Sequence, residues 1–141
     1  KKAAVYHTSA GRKVFSGGGI MPDVFVPADT TGNTMLIQEL GNQQLFNAFV
    51  IDKMQGILNN YKTDNSFLSD FAISDDQFDD FILYASKTLK EMDSKEVKTS
   101  KADIKLYLKA FAARFKWGDA AYYRVLNSDD GTLKKAIAAI N

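Results

Sequence analysis

With 141 residues, 45% of them apolar and 25% charged, and with only two prolines, the chain has the length and composition of one folded domain or slightly more. Ten phenylalanines, six tyrosines and one tryptophan supply the bulk for a packed core, which excludes wholesale disorder. A net charge of +1 removes the electrostatic case for a nucleic-acid binder, and the lack of cysteine excludes a disulfide scaffold, a thiolate zinc site and a cysteine nucleophile.

Both prolines, Pro22 and Pro27, and five of the nine glycines lie before residue 33, and the composition changes near Asp29. Ala4-Val5-Tyr6, Lys13-Val14-Phe15 and Asp23-Val24-Phe25-Val26 read as short strands, with Gly17-Gly18-Gly19 as a turn or bulge. Beyond Asp29 the apolar period becomes helical. Leu36 and Leu40, then Phe46, Phe49, Val50, Met54, Ile57 and Tyr61, follow that period, and Gly41 is expected to divide a short helix from a long one. Ser74-Asp75-Asp76-Gln77 has the form of a capping box, ahead of a stripe of Phe78, Phe81, Ile82, Ala85 and Leu89. Ser100 is predicted to cap a helix carrying Ile104, Tyr107, Leu108, Phe111 and Phe115, with Gly118 just past its end. Asp119 is expected to open a short helix through Tyr122, Tyr123 and Leu126. Ser128 or Asp129 would then cap a last helix carrying Leu133, Ala136, Ile137 and Ile140.

The predicted fold is therefore mainly α: a short N-terminal β segment over residues 1–29 and a bundle of four to five helices over residues 30–141. Phe49, Phe81, Tyr107, Phe111 and Phe115 are the expected core aromatics. No apolar run approaches the roughly 18 residues of a membrane span. The opening Lys1-Lys2-Ala3-Ala4-Val5-Tyr6 is too short and too soon polar for a signal peptide. A first residue that is lysine rather than methionine, in a run already strand-like, gives the expectation of a longer parent chain.

Little in the chain suggests catalysis. His7 is the only histidine, so no histidine pair exists for a metal, and an ordinary surface or hydrogen-bonding role is expected of it. Ser9 with Lys13 and Ser94 with Lys98 have the residue types of a serine–lysine dyad, but a base lysine must be desolvated and these lie in polar sequence. Asp64, Asp70, Asp75, Asp76, Asp79 and Asp80 form an acidic stretch without a basic residue, yet Ala72-Ile73 interrupts it and the glycine of a calcium loop is missing. It reads as a solvated helix face with a charged cap. Basic residues between Lys87 and Lys116 alternate with Glu91, Asp93, Glu96 and Asp103, so their field largely cancels. Trp117, Tyr122 and Tyr123 are expected to seal the edge of a bundle.

Tyr6-His7-Thr8-Ser9-Ala10-Gly11-Arg12, followed by Gly18-Gly19-Ile20-Met21-Pro22-Asp23-Val24, resembles the end of the catalytic core of the carboxyl-terminal processing, or tail-specific, serine peptidases. In that family a strand enters a Thr-Pro-Ser-Gly-Arg turn and then a Gly-Ile-x-Pro-Asp-Val segment. Thr8, Gly11, Arg12, Gly18, Gly19, Ile20, Pro22 and Asp23 fall on the pattern, while Ser9-Ala10 stand where the family has Pro-Ser. The triple glycine and Val24-Phe25-Val26-Pro27 look like the bacterial subset with a long helical tail. In that subset the tail ends in a pattern similar to Trp117-Gly118 through Tyr123, then Asn127, Asp129-Asp130 and Ala136.

The resemblance implies that residues 1–29 are the closing strands of a peptidase core. The family's serine nucleophile, its lysine base and its PDZ domain all lie upstream of this stretch, so this chain would hold no catalytic residue. Its motif residues would be structural: the glycines permit positive φ, Pro22 fixes a bend and Asp23 bonds the local backbone. No cofactor or metal is implied. The implied partners are the parent's upstream core, its PDZ domain and, through the parent, protein substrates; a homo-oligomer is compatible, nucleic acid is not expected, and the implied location is a periplasmic cell envelope. A stand-alone helical protein–protein interaction module is the competing expectation. In the chain by itself, residues 1–28 are expected to pair with a second copy, to dock on the helices through Val14, Phe15 and Phe25, or to exchange hydrogens fast.

Overall fold

A tight reversal at Thr8–Gly11 sets the first element. Gly11 has φ 77° and its N–H donates to the Thr8 carbonyl at 2.9 Å, a conformation that a side chain would strain. The turn joins β1 (Val5–His7) and β2 (Lys13–Phe15), which pair antiparallel in the register Val5 to Phe15, Tyr6 to Val14 and His7 to Lys13. The computed structural model describes residues 4–11, 13–16, 26, 34–128 and 130–140. The strand expected at Asp23–Val26 and the domain boundary expected at residues 29 and 30 fall mostly or wholly outside them.

From Met35 on the described residues are mainly helical, as the apolar period predicts, but they break into more segments than four or five. Thr34 caps α1 (Met35–Asn42), its hydroxyl accepting from the Ile37 N–H. The break that follows is not at Gly41, which stays inside α1. It falls at Gln44, whose φ of 54° places a non-glycine residue in the left-handed region. α2 (Leu45–Phe49) then runs through a π turn (Val50–Met54) into α3 (Gln55–Leu58), and the Gln55 side-chain amide donates to the Ile51 carbonyl at 2.7 Å within the widened turn.

α4 (Asp64–Asp70) starts from a Thr63 cap, and α5 (Asp75–Ala85) from the capping box, with Ser74 and Gln77 bonded reciprocally as the sequence predicts. The short α6 (Ser94–Thr99) leads into α7 (Lys101–Trp117). Gly118, with φ 82°, ends α7, and α8 (Asp119–Ser128) turns back along it. Asp130 caps α9 (Gly131–Ile140), its Oδ1 accepting from the N–H groups of Thr132 and Leu133. The expected cap at Ser128 is corrected, since its hydroxyl donates back to Val125; Asp129 lies outside the described residues.

The core is built on α7. Ile104 and Leu108 are fully buried, and Ala110, Ala112 and Ala113 offer little bulk where the helix meets its neighbours. α7 packs on α8 and also on α2, the π turn, α4, α5 and α6. Two aromatic groups fill the space around it. In one, Phe46 stacks on Phe81 at 5.2 Å and on Phe111 at 5.5 Å, with Phe49 edge-on to Phe81. In the other, Phe67 stacks on Phe71 at 4.7 Å and meets Tyr61 and Trp117. Phe49 and Phe81 are buried as predicted. Tyr107 and Phe111 are half-buried, both against Phe46 and Phe111 also against Tyr122 of α8, whereas Phe115, one turn further on, is 46% exposed.

Candidate functional site

Of the predicted motif, two residues are described, and both lie in the hairpin. Thr8 and Gly11 form its turn, whereas Arg12, Gly18, Gly19, Ile20, Pro22 and Asp23 lie outside the described residues. Alternation along the strands puts Val5, Phe15, His7 and Lys13 on one face and Tyr6 and Val14 on the other. Each face thus carries an apolar cross-strand pair, and every residue of both strands is exposed. Val14 and Phe15, expected to dock on the helices, are 41% and 50% exposed, and Phe25 lies outside the described residues. At the open end the Ser16 N–H donates to the Ala4 carbonyl and the Ala4 N–H to the Ser16 hydroxyl, which closes the ladder.

The other candidate groups serve structure. His7 is exposed opposite Lys13. Lys13 and Lys98 are exposed, without the burial that would make either a base for Ser9 or Ser94. The acidic stretch is divided between α4 and α5, and among the described residues no group of three or more acidic or histidine side chains is placed to hold a metal. Its aspartates are more than a solvated face. Asp75 binds Lys105 and Lys101, which hold its carboxyl at about 2, and Asp64 binds Arg124. These partners sit tens of residues away in the sequence, so no local pattern could reveal them.

Two further groups of contacts escape the sequence for the same reason. The Lys116 ammonium donates to the carbonyls of Leu58 and Tyr61, and Lys109 to that of Leu68, so α7 supplies cations to the C-terminal ends of α3 and α4. Burial against Phe67 lowers the Lys109 pKa. The start of α1 is gripped from α6 and the residue after it: the Leu36 N–H donates to Glu96 Oε1 at 3.0 Å, and the Thr34 and Ser100 hydroxyls share a bond of the same length. Ser100 is fully buried there and makes no side-chain cap to α7, which corrects the expectation placed on it. That latch fixes where the chain enters the helical layer.

The Gly41–Gln44 reversal and the open side of α7 enclose a groove of about 450 Å³ whose apolar walls are Phe46, Phe111 and Phe115. Arg114 stands at its rim, bound through Nε to Asp119 at 2.7 Å and resting over the Tyr122 ring. Trp117 and Tyr122 seal helix ends, as expected, against Phe67 and Phe111; Tyr123 is exposed.

The profile of a family of unknown function (DUF8443) matches residues 36–118. That span runs from α1 to the glycine that ends α7, and so includes nearly all of both aromatic groups. No curated protein and no solved structure matches the chain. The chain belongs to the DUF8443 family.

Proposed function

We propose that this member of the DUF8443 family is the non-catalytic C-terminal part of a carboxyl-terminal processing serine endopeptidase. Its hairpin closes the sheet of a catalytic core carried upstream in the parent chain, and its helices form an appended domain. The observation that carries this reading is the hairpin's double-sided apolar character, with Val5 against Phe15 on one face and Tyr6 against Val14 on the other. A sheet with one wet face alternates apolar and polar residues, whereas a sheet covered on both faces does not. The Thr8-x-x-Gly11 turn, with Gly11 at positive φ, fits the resemblance that the sequence motif carries.

On this reading the upstream core supplies the serine nucleophile and the lysine base, and a PDZ domain there reads the substrate protein. The parent works in a bacterial cell envelope, in the periplasm, and this chain contributes the closing strands and the helical unit. Amide exchange tests it. Residues 4–16 should exchange fast in the chain alone and become protected when the upstream core is present in the same polypeptide, where its strands act at intramolecular concentration. Only the longer polypeptide should cleave unfolded protein. Equal protection in the monomeric chain alone would overturn the assignment.

The groove at Phe46, Phe111 and Phe115 favours a second reading, a stand-alone helical module that binds a partner protein. The coding sequence upstream separates the two: a serine, a lysine and a PDZ domain are expected on the first reading and none on the second.

A further inference from the structure

α9 has a finished apolar face that stands exposed among the described residues. Asp130 satisfies its first amides, and Leu133, Ala136, Ile137 and Ile140 fall on one helical face with Lys135 opposite. Every residue from Asp130 to Ile140 is nevertheless exposed, Ile137 by 53% and Ile140 by 85%. An isolated helix of this length is marginal in water, so it needs a surface to pack on.

We infer that α9 is a closing helix, which seats its Leu133–Ile137–Ile140 stripe in the groove of its own chain walled by Phe46, Phe111 and Phe115. Reach favours it. α8 and α9 have ten residues each, about 15 Å at the helical rise. Helices joined by a connection this short pack best as antiparallel neighbours. An antiparallel return therefore brings Ile137 and Ile140 level with the start of α8, where Asp119 holds Arg114 at the groove's rim. The groove is continuous with the α7–α8 contact, since Phe111 forms its wall and also meets Tyr122 at 5.4 Å. Charge does not oppose closure: the stripe bears none, and Arg114 is already neutralised by Asp119, so docking buries no unpaired ion. The structure holds the open arrangement; the closed one hides Phe115 and denies the groove to any other apolar segment.

A nitroxide label tests this directly, because the cysteine-free chain accepts a single tag through Lys135→Cys on the outer face of α9. In the full chain the label should strongly broaden the amide signals of Gly41, Gln44 and Phe115. It should not broaden them in an equimolar mixture of labelled chains with isotope-enriched, untagged ones. Ile137→Asp, at a position exposed in the open arrangement, should abolish the broadening and leave the rest of the spectrum in place. Broadening in the mixture would assign the groove to a second copy and overturn the proposal. Absence of broadening in the tagged chain, or its survival in Ile137→Asp, would overturn it as well.

Discussion

In the hairpin, Val5 faces Phe15 and Tyr6 faces Val14, and all four are exposed; in the helices, Phe67 and Phe81 are sealed from water and Phe46 almost so. The side chains are alike in kind, and the difference lies in the backbone that carries them. A helix satisfies its own amides and needs only one packed face, so helices around α7 can close a core among themselves. Two strands cannot do this. They have two faces and free edges, and whatever covers them must come from outside the pair.

The largest break expected in that contrast is Phe81→Ala. It removes the ring that Phe46 stacks on and Phe49 meets edge-on, and should lower unfolding free energy by about 3–5 kcal/mol in a denaturant titration. Phe15→Ala in the hairpin should change the same transition by less than about 0.5 kcal/mol. A comparable loss from both substitutions would mean that the hairpin is packed.

The latch between α6 and α1 comes next. Glu96→Ala leaves the partly buried Leu36 amide without its acceptor and should cost about 1–2 kcal/mol, with faster exchange confined to the first turn of α1. Ser74→Ala, which opens the capping box of α5, should cost about 1 kcal/mol by thermal or denaturant unfolding and leave α1 exchange unchanged. The two together ask whether a contact 60 residues distant matters more than one three residues away.

The smallest effect is expected at Asp75, an exposed carboxylate. Bonds to Lys105 and then Lys101 lower its pKa from the ordinary 3.8 to about 2. Because the folded value is the depressed one, the stabilisation is complete above 3.8 and disappears as pH falls through about 2. Asp75→Asn should flatten the acid limb of the stability profile over that window and change the midpoint at neutral pH less than Ser74→Ala does.

The mainly helical fold, the hairpin and the capping box were legible in the sequence because they rest on local rules. Period fixes which face of a segment is apolar, Ser74 and Gln77 meet within one helical turn, and Gly11 and Gly118 stand where positive φ is needed. Of the candidate motif, only Thr8 and Gly11 gained a structural account, as the two ends of one turn. Other outcomes depended on what the helices meet after folding. The stripe on α7 suggests that Phe115 is as internal as Leu108, but a helix face is buried only where a neighbour covers it, and the covered part of this one ends at Phe111, against Phe46 and Tyr122. Ser100 has the form of a cap, yet folding brings Thr34 within bonding distance and its hydroxyl goes there. The groove, the lysines that serve the ends of α3 and α4, and the pairing of Asp64 and Asp75 are likewise products of assembly. Sequence by itself determined which segments coil and which faces are apolar, since these follow from neighbours a few residues apart. Only the tertiary structure decided which apolar faces are covered and which charges are paired, because those partners lie tens of residues away.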